Sequence, residues 1–342
     1  MYLRRLCLVN FRNQEKFQAE FDRTNIILGA NATGKTSIIE AIYLLSTSKS
    51  FRTKESEDLI FFLHPFAKAI GDIEEDERKF NLEIILKRDQ GSKKRLKING
   101  KPRRIISMLG LFQTVLFTPE TLSIVSGSPS MRRRSLDILL SSISRKYAAT
   151  LLSFLKIIRQ RNRLLFKIKE SNKGVATLDV FDPSFISTSE YLQKTREIFL
   201  KQINGFLPEK LQIEYLPSPR HDLKKILKEN RQKEMEFGFS LFGPQKDDFI
   251  FLFKDRPLSL FGSRGEIREG AILFKLAEWE FIRKTTGFLP VLLLDDMFSE
   301  LDRSKRAKIE ELLKQGQTIL TSTSLSYLSP KIISKSKVIE LK

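Results

Sequence analysis

Short apolar runs bounded by polar turns mark two buried strands in this sequence. The run Asn-Ile-Ile-Leu at residues 25–28 precedes a glycine-rich turn, and residues 37–45 after that turn have apolar side chains at helical spacing. A second run, Val-Leu-Leu-Leu at residues 291–294, ends in two aspartates and has the composition of a fully buried parallel strand. The pattern therefore predicts an α/β fold with a strand–turn–helix unit near its beginning.

Two basic segments lie between these strands. Asn99 and Gly100, flanked by Leu-Lys-Ile and Lys-Pro-Arg, predict a tight hairpin. Residues 131–173 have helical periodicity, which places four cations on one helix face: Lys156, Arg159, Arg163 and Lys167. The same periodicity predicts a buried face made by Leu151, Leu155, Ile158 and Leu165.

The order of these patterns predicts an interrupted domain. Residues 1–120 have mixed β and α/β patterns, residues 121–235 are mainly helical, and residues 236–342 complete the first domain. Within the middle part, residues 211–219 are predicted to return to the first domain as a strand, and residues 221–236 to form a helix.

Composition points to a polyanionic partner. The chain has 342 residues, of which 41% are hydrophobic, so it can bury a substantial core. It contains 60 Lys and Arg against 41 Asp and Glu, a formal net charge of +19. Residues 87–104 and 131–173 carry most of the excess, and nucleic acid is the expected partner. The alternative interpretation of these charge runs is a solvated surface.

Several classes of protein are excluded or disfavoured by what the sequence lacks. One cysteine and two histidines cannot form a disulfide framework, a cysteine-built metal site or a multi-histidine metal centre. No apolar run approaches the roughly 20 residues of a membrane-spanning helix, and the first residues do not resemble a secretory signal. We therefore expect a cytoplasmic protein.

The glycine-rich turn matches the phosphate-binding pattern G-x-x-x-x-G-K-[ST] at every position. Its backbone amides and the N-terminus of the next helix would hold phosphate groups, Lys35 would reach the β- and γ-phosphates, and Thr36 would ligate Mg²⁺. The predicted nucleotide-binding residues in this loop are Gly29, Ala30, Asn31, Ala32, Thr33, Gly34, Lys35, Thr36 and Ser37.

Two aspartates follow the second apolar run. Asp295 ends the predicted strand, where ligands bind in open α/β sheets, and is expected to hold Mg²⁺ directly or through water. Asp296 is the candidate that polarises the attacking water, and with Lys35 it forms the predicted catalytic pair. The alternative interpretation of these acids is a helix N-cap, which is the stronger alternative for Asp296.

The separation of the loop from the acids, with Ser-Glu-Leu-Asp at residues 299–302, resembles the ABC-type ATPase head of SMC and Rad50-like proteins. Six blocks, in order, resemble the RecF family of recombination mediators. They are LRRLCLVNFRN, GANATGKTSIIEAIYLLSTSKSFRT, KINGK, FTPETLSIVSGSPSMRRRSLD, FGPQKDDF and LLLDDMFSELD.

This resemblance implies a P-loop NTPase of the ABC-type head class with an inserted helical lobe. It implies a homodimer that sandwiches ATP, binding to double-stranded DNA near single-strand gaps, and co-operation with RecR and RecO to place RecA on DNA. Roles in DNA replication, repair, recombination and the SOS response would follow, with slow, DNA-stimulated ATP hydrolysis. The alternatives are a DNA-binding protein that uses ATP as a structural ligand and another ABC-type ATPase of DNA metabolism.

The signature segment of the family, S-Q-G-Q, is altered in this chain. Ser263 and Gly265 are retained and, by resemblance, would touch the γ-phosphate held by the other subunit. Arg264 and Glu266 replace the two glutamines, and Glu266 should weaken the sandwich unless it pairs with Arg264 or Arg268.

Two further positions depart from the family pattern. In the G-P-H-R-D-D block Gln245 and Lys246 replace His and Arg, and Lys is not a bidentate equivalent of Arg. Thr323 stands where many ABC-type ATPases have a switch histidine. These changes leave ATP binding as the firm expectation and the rate of hydrolysis open.

Overall fold

The computed structural model describes residues 1–88, 94–171, 174–220, 222–298, 306, 313 and 315–341. The chain forms two units, the first made of Met1–Ser123 with Ala271–Lys342 and the second of Ile124–Gly270. Within the described ranges, none of the helices combines the length and the apolar character that crossing a membrane requires.

The strands of the described residues are numbered in chain order. They are β1 (Tyr2–Phe11), β2 (Gln14–Glu20), β3 (Thr24–Leu28), β4 (Phe66–Glu75), β5 (Arg78–Lys87), β6 (Arg95–Ile98), β7 (Lys101–Arg103), β8 (Thr114–Phe117), β9 (Leu211–Leu216), β10 (Asp248–Phe253), β11 (Arg256–Pro257), β12 (Val291–Leu294), β13 (Thr318–Ser322) and β14 (Lys337–Glu340).

The helices are numbered in the same way. They are α1 (Lys35–Thr47), α2 (Pro119–Leu122), α3 (Pro129–Ile143), α4 (Arg145–Ser171), α5 (Leu178–Asn204), α6 (Leu223–Glu229), α7 (Arg231–Phe237), α8 (Leu258–Phe261), α9 (Arg264–Thr286) and α10 (Pro330–Ile333).

A five-stranded parallel sheet of order β14-β3-β13-β12-β8 forms the centre of the first unit. All residues of β12 and β13 are buried, which explains why these segments are continuously apolar or small rather than alternating. The predicted strands at 25–28 and 291–294 and the predicted helix at 37–45 are confirmed as β3, β12 and α1. The sequence analysis did not predict β14, whose four residues are partly exposed at the sheet edge.

An antiparallel sheet of order β2-β1-β4-β5-β6-β7 completes the first unit. Buried and less buried positions alternate along β4, as expected for a sheet with one face on the core. The predicted hairpin is confirmed between β6 and β7, where Asn99 and Gly100 have φ angles of 50° and 72°. Two consecutive positive φ angles are the requirement of a type I′ turn, which Asn-Gly satisfies.

The second unit combines helices with a three-stranded antiparallel sheet of order β11-β10-β9. The sequence analysis expected residues 211–219 to return to the first domain, but β9 pairs with β10 along six residue positions and both strands belong to the second unit. Residues 236–270, which the sequence analysis placed in the first domain, likewise belong to the second unit. The local strand signal was present, but its partner strand could not be identified from the sequence.

The helices of the second unit differ from the predicted pattern in two places. Residues 223–237 form two helices, α6 and α7, which meet at Asn230, and residue 221 lies outside the described part of the chain. On α4, Leu165 and Ile158 are buried as predicted, but Leu155 is 46% exposed. The inward-facing side of α4 instead includes Phe154 and Arg161, because the arginine finds buried acidic partners.

Candidate nucleotide-binding site

The glycine-rich loop joins the carboxyl end of β3 to the first turn of α1. Gly34 has a φ of 100°, and a Cβ there would lie 2.0 Å from Nε2 of Gln14, so only glycine fits. Lys35 Nζ donates to the carbonyl oxygens of Gly29 and Ala30 over 2.8 and 2.7 Å, inside the loop. Among the described residues no carboxylate forms an ion pair with this ammonium group. The loop thus presents a cation and the free amides of a helix N-terminus at one place.

The turn between β1 and β2, together with the first residue of β2, lies beside the phosphate loop and forms hydrogen bonds with it. Asn13 Nδ2 donates to the carbonyl of Ala32 over 2.9 Å, and Gln14 Nε2 donates to the carbonyl of Thr33 over 2.8 Å. Ser37 Oγ donates to Asn13 Oδ1 over 2.9 Å and connects the same turn to α1. These bonds hold loop carbonyls on the side of the hairpin and stabilise the loop conformation.

A buried carboxylate of α1, that of Glu40, binds the turn between β1 and β2 through Arg12. Glu40 is fully buried and receives two hydrogen bonds from the guanidinium of Arg12, at 2.8 and 2.9 Å. Ser50 Oγ donates a short hydrogen bond to the same carboxylate, and Arg52 lies 3.8 Å from it. Ser50 and Arg52, which the sequence analysis noted only as part of a family block, therefore hold Glu40 in place.

Asp295 lies where the sequence analysis expected it, at the end of β12 beside the loop. Its Oδ1 accepts hydrogen bonds from Thr36 Oγ1 over 3.1 Å and from Thr321 Oγ1 over 2.8 Å. Burial raises the pKa of Asp295, and the two threonine hydroxyls act in the opposite direction by stabilising its charged form. Cis oxygens of an octahedral Mg²⁺ site with bonds of about 2.1 Å are about 3 Å apart, so this oxygen pair fits such an ion.

Asp296 follows in a left-handed conformation, with a φ of 49°. Its amide donates to Thr321 Oγ1 over 2.9 Å, so Thr321 bridges the two acidic residues from β13. Residues 299–302, which follow these acids in the sequence analysis, lie outside the described residues. The role assigned to Asp296 stays a prediction.

The signature residues belong to the second unit, where Ser263 is the N-cap of α9. Ser263, Arg264 and Gly265 are exposed, so their polar groups are accessible to an anion. Glu266 Oε2 accepts hydrogen bonds from the amide and from the hydroxyl of Ser263, each at 2.8 Å. The Ser263 amide and then its hydroxyl hold the pKa of Glu266 below its ordinary value. The acid thus has Ser263 as a partner, a Ser-x-x-Glu relationship that the sequence analysis did not recognise.

The FGPQKDDF block is a structural junction within the second unit. Asp247 is 1% exposed and accepts hydrogen bonds from Arg196, Gln193 and the amide of Ser218, each at 2.8 Å. Asp248 forms a bidentate pair with Arg132 at 2.7 and 2.8 Å. These contacts give Asp247, Asp248 and Arg132 structural roles within the second unit, with Asp247 and Arg132 buried and Asp248 partly buried.

The two altered positions of that block differ in exposure, because Gln245 is partly buried, with its Oε1 atom enclosed, and only Lys246 lies at the surface. Lys246 is exposed, with its ammonium 5.4 Å from the centre of the Phe239 ring, and Gln245 Nε2 donates to the carbonyl of Phe242 over 2.7 Å. Trp279 of α9 is 1% exposed and belongs to the core.

A phosphate loop after the first strand of a parallel sheet, and an aspartate at the end of a strand two positions away in the same sheet, define a P-loop NTPase of the ABC-type head class. The Smc head domain from Pyrococcus furiosus has this fold, with a TM-score of 0.51 and 16% identity over 99% of this chain and 93% of that chain. The sequence model of the RecF/RecN/SMC N-terminal domain matches residues 2–329.

More similar proteins identify the family within this class. The DNA replication and repair protein RecF of Halalkalibacterium halodurans is 33% identical over 365 aligned positions, covering 100% of this chain and 98% of that protein. A solved structure of the recombination mediator protein RecF with ATP, in the RecFOR pathway, has a TM-score of 0.90 and 32% identity, covering 96% of this chain and 93% of that one. The chain belongs to the RecF family of DNA replication and repair proteins.

Proposed function

We propose that this protein is an ATP-dependent DNA clamp that acts in recombinational repair. In this proposal two copies sandwich ATP, bind double-stranded DNA near single-strand gaps, and release it after hydrolysis. The observation that carries the proposal is the loop with Lys35 at its centre and Thr36 Oγ1 3.1 Å from Asp295. Its RecF relative with bound ATP supports the same ligand for this chain.

The phosphate loop fits the triphosphate, and two oxygens fit its metal. The loop amides and Lys35 would hold the β- and γ-phosphates, as in other loops of this pattern. Thr36 and Asp295 would hold Mg²⁺, which neutralises phosphate charge when it is bound. Asp296 is proposed to orient the attacking water, and Ser263 and Gly265 to complete the pocket of the second copy. The proposed enzymatic activity is slow, DNA-stimulated ATP hydrolysis.

The proposed DNA contact is the exposed cationic face of α4. Lys156, Arg159, Arg163 and Lys167 are all exposed, and none of them forms an ion pair with a carboxylate in the described parts of the chain. Four cations on one helix face repel one another when no acidic side chain lies between them, and a bound anion would relieve this repulsion. DNA phosphates would do so without reading base sequence. In the first unit, Lys101 and Arg103 of β7 offer a second exposed basic edge.

Sizing of the full chain tests the sandwich. We expect monomers without nucleotide, dimers with saturating ATP, and a further shift with a gapped duplex that weakens between 50 and 200 mM salt, since phosphate contacts release counterions. Monomers at micromolar protein and saturating ATP would contradict the proposal.

Charge variants test the α4 face. Replacing Lys156, Arg159 and Arg163 by Gln should weaken duplex binding and reduce the slope of log K against log salt by up to about 3. The matched control replaces Lys224, Lys225 and Lys228, three exposed lysines of α6, by Gln with the same loss of charge. Equal weakening by both triple variants would show that only net charge matters.

Partner proteins follow from the family. We propose that this chain acts with RecO and RecR and helps to place RecA on DNA, because its RecF relative belongs to the RecFOR pathway. A pull-down of purified RecR with the ATP-bound protein on gapped DNA tests this point.

A second candidate function is a DNA-binding protein that uses ATP as a structural ligand without turnover. The contact of Glu266 with Ser263 favours it, because a carboxylate occupies donors that the sandwich needs. DNA-stimulated release of phosphate separates the two candidates.

A further inference from the structure

The signature segment of this chain contains its own anion. A single carboxylate oxygen of Glu266 accepts both donors of Ser263, the amide and the hydroxyl, at 2.8 Å each. The Ser263 hydroxyl oxygen also accepts from the amide of Glu266 over 3.3 Å, which closes a reciprocal capping box at the start of α9. The two groups through which Ser263 could hold an anion are therefore already bound to one.

The Ser263 donors lie at an exposed position of the chain. Ser263 and Gly265 are exposed, and in the described part of the chain the atom outside the helix backbone that a Cβ added to Gly265 would approach is Ser263 Oγ, at 3.9 Å. A phosphate oxygen would bind the same positive end of α9 for the same reason as the carboxylate. One oxygen can hold these donors at a time, so the two anions compete.

We propose that Glu266 occupies the signature site in place of the γ-phosphate and thereby weakens ATP-dependent dimerisation of this protein. The inference rests on the proposed function, in which Ser263 meets the triphosphate held by a second copy. For the sandwich to form, the Glu266 side chain must leave Ser263, and its negative charge must then be tolerated near phosphate. ATP therefore joins two copies only where it outcompetes an intramolecular ligand.

Two lysines also act on Glu266 through their charges. The charges of Lys254 and Lys210 act on Glu266 in the same direction as the Ser263 hydrogen bonds, since all of them stabilise its ionised form. Lys210 also lies 3.9 Å from Glu269, one turn further along α9. Glu266 is therefore influenced by cations besides its hydrogen bonds from Ser263.

The test is the dimer dissociation constant of the full chain in saturating ATP and Mg²⁺, measured by sedimentation equilibrium. Glu266→Gln keeps a hydrogen-bonding cap but replaces a charge-assisted bond by a neutral one, so we expect a dimer about tenfold tighter. Glu269→Gln is the matched control, because it removes the same charge from the same helix without touching Ser263. It should change the constant by less than about twofold.

A double-mutant cycle separates occupation of the donors from simple charge repulsion. In the parent, Ser263→Ala removes a bond from the monomer and a bond from the dimer, so its effect on dimerisation should be small. In the Glu266→Gln background the monomer has a weaker bond to Ser263, so Ser263→Ala destabilises the monomer less than it does in the parent. Ser263→Ala should therefore weaken dimerisation several-fold more in this background than in the parent. Equal effects of Ser263→Ala in both backgrounds would overturn the proposal.

The outcomes distinguish this inference from the function on which it rests. If the parent dimerises with ATP and Glu266→Gln leaves its dimer dissociation constant unchanged, only the role of Glu266 is contradicted. The same holds if Glu269→Gln changes that constant as much as Glu266→Gln does. Parent and Glu266→Gln that both bind ATP yet stay monomeric contradict the sandwich itself. A dimer seen with Glu266→Gln at ATP concentrations where the parent is monomeric supports both.

Discussion

The hydroxyl of Thr36 donates a hydrogen bond to the carboxylate of Asp295 over 3.1 Å, although 259 residues separate them in the chain. The contact forms because β3 and β12 lie on either side of β13 in one parallel sheet and end at the same edge. It brings the two predicted metal ligands together and gives the first prediction.

Asp295→Asn should reduce Mg²⁺-dependent ATP hydrolysis by about 100-fold or more, since a lost transition-state contact of about 2.7 kcal/mol has this effect. Asp296→Asn should lower turnover while leaving the Mg²⁺ dependence of nucleotide binding unchanged. Phosphate release and nucleotide titration, with and without Mg²⁺, measure both effects. An Asp295→Asn protein that binds ATP with parental Mg²⁺ dependence would show that this carboxylate is not a metal ligand.

Gln14→Ala should weaken ATP binding about fivefold, which corresponds to the loss of one hydrogen bond with a net contribution of about 1 kcal/mol. The reason is that Gln14 holds the carbonyl of Thr33 at 2.8 Å, so its loss frees the loop before ATP binds. Titration with a fluorescent ATP analogue measures the change. Gln18→Ala, at an exposed position of the same strand, is the control and should bind as the parent does. If both variants bind equally, the hairpin does not support the loop.

Arg161→Met should destabilise the second unit by about 3–5 kcal/mol, because it leaves a buried carboxylate without its partner. Arg161 is 1% exposed and donates to Glu234, itself 0% exposed, over 2.7 Å. Urea unfolding followed by circular dichroism measures the loss. The double variant Arg161→Met with Glu234→Leu should recover most of it, since the buried Glu234 charge is removed with its partner and Asp182, the other acid on Arg161, keeps Arg231 as a partner. Additive losses would mean that the two residues act independently.

Lys94 should make the first unit more stable as pH rises from about 8 towards 10.5. Burial, followed by the charge of Lys49, lowers the pKa of Lys94 to about 8 from an ordinary value of 10.5. Between these values the unfolded chain binds more protons than the folded chain, so the free energy of unfolding increases with pH.

The Lys94→Met variant isolates this effect, because its unfolding should lack the contribution of this partly buried lysine. Urea midpoints are measured at pH 7, 8 and 9. The midpoint of the parent should increase with pH relative to that of the variant, which also lacks the hydrogen bond from Lys94 to the carbonyl of Ser48. Lys79→Met, an exposed lysine on β5, should keep the parental pH dependence. A constant difference between parent and Lys94→Met across this range would contradict the assignment.

The elements that could be predicted are those with local signals. The loop, β3, α1, β12 and the Asn99–Gly100 turn follow from contiguous patterns whose conformational preferences do not depend on distant residues. The assignment of residues 211–219 to the first domain was wrong because strand propensity does not identify the partner strand. The prediction that Leu155 is buried was wrong because the residues that pack on α4 decide which side of the helix is buried. Here those residues include the acids that pair with Arg161.

The sequence by itself determined the phosphate loop and the family, because eight adjacent residues carry the loop chemistry and the ordered blocks carry the likeness. Only the tertiary structure revealed the support of that loop by Asn13, Gln14 and Glu40, and the bridge from Thr321 to the acids at the end of β12. These contacts join residues from separate strands and helices, and a hydrogen bond requires a specific distance and angle. Such geometry exists only after the sheets have packed in register, so no local pattern encodes it.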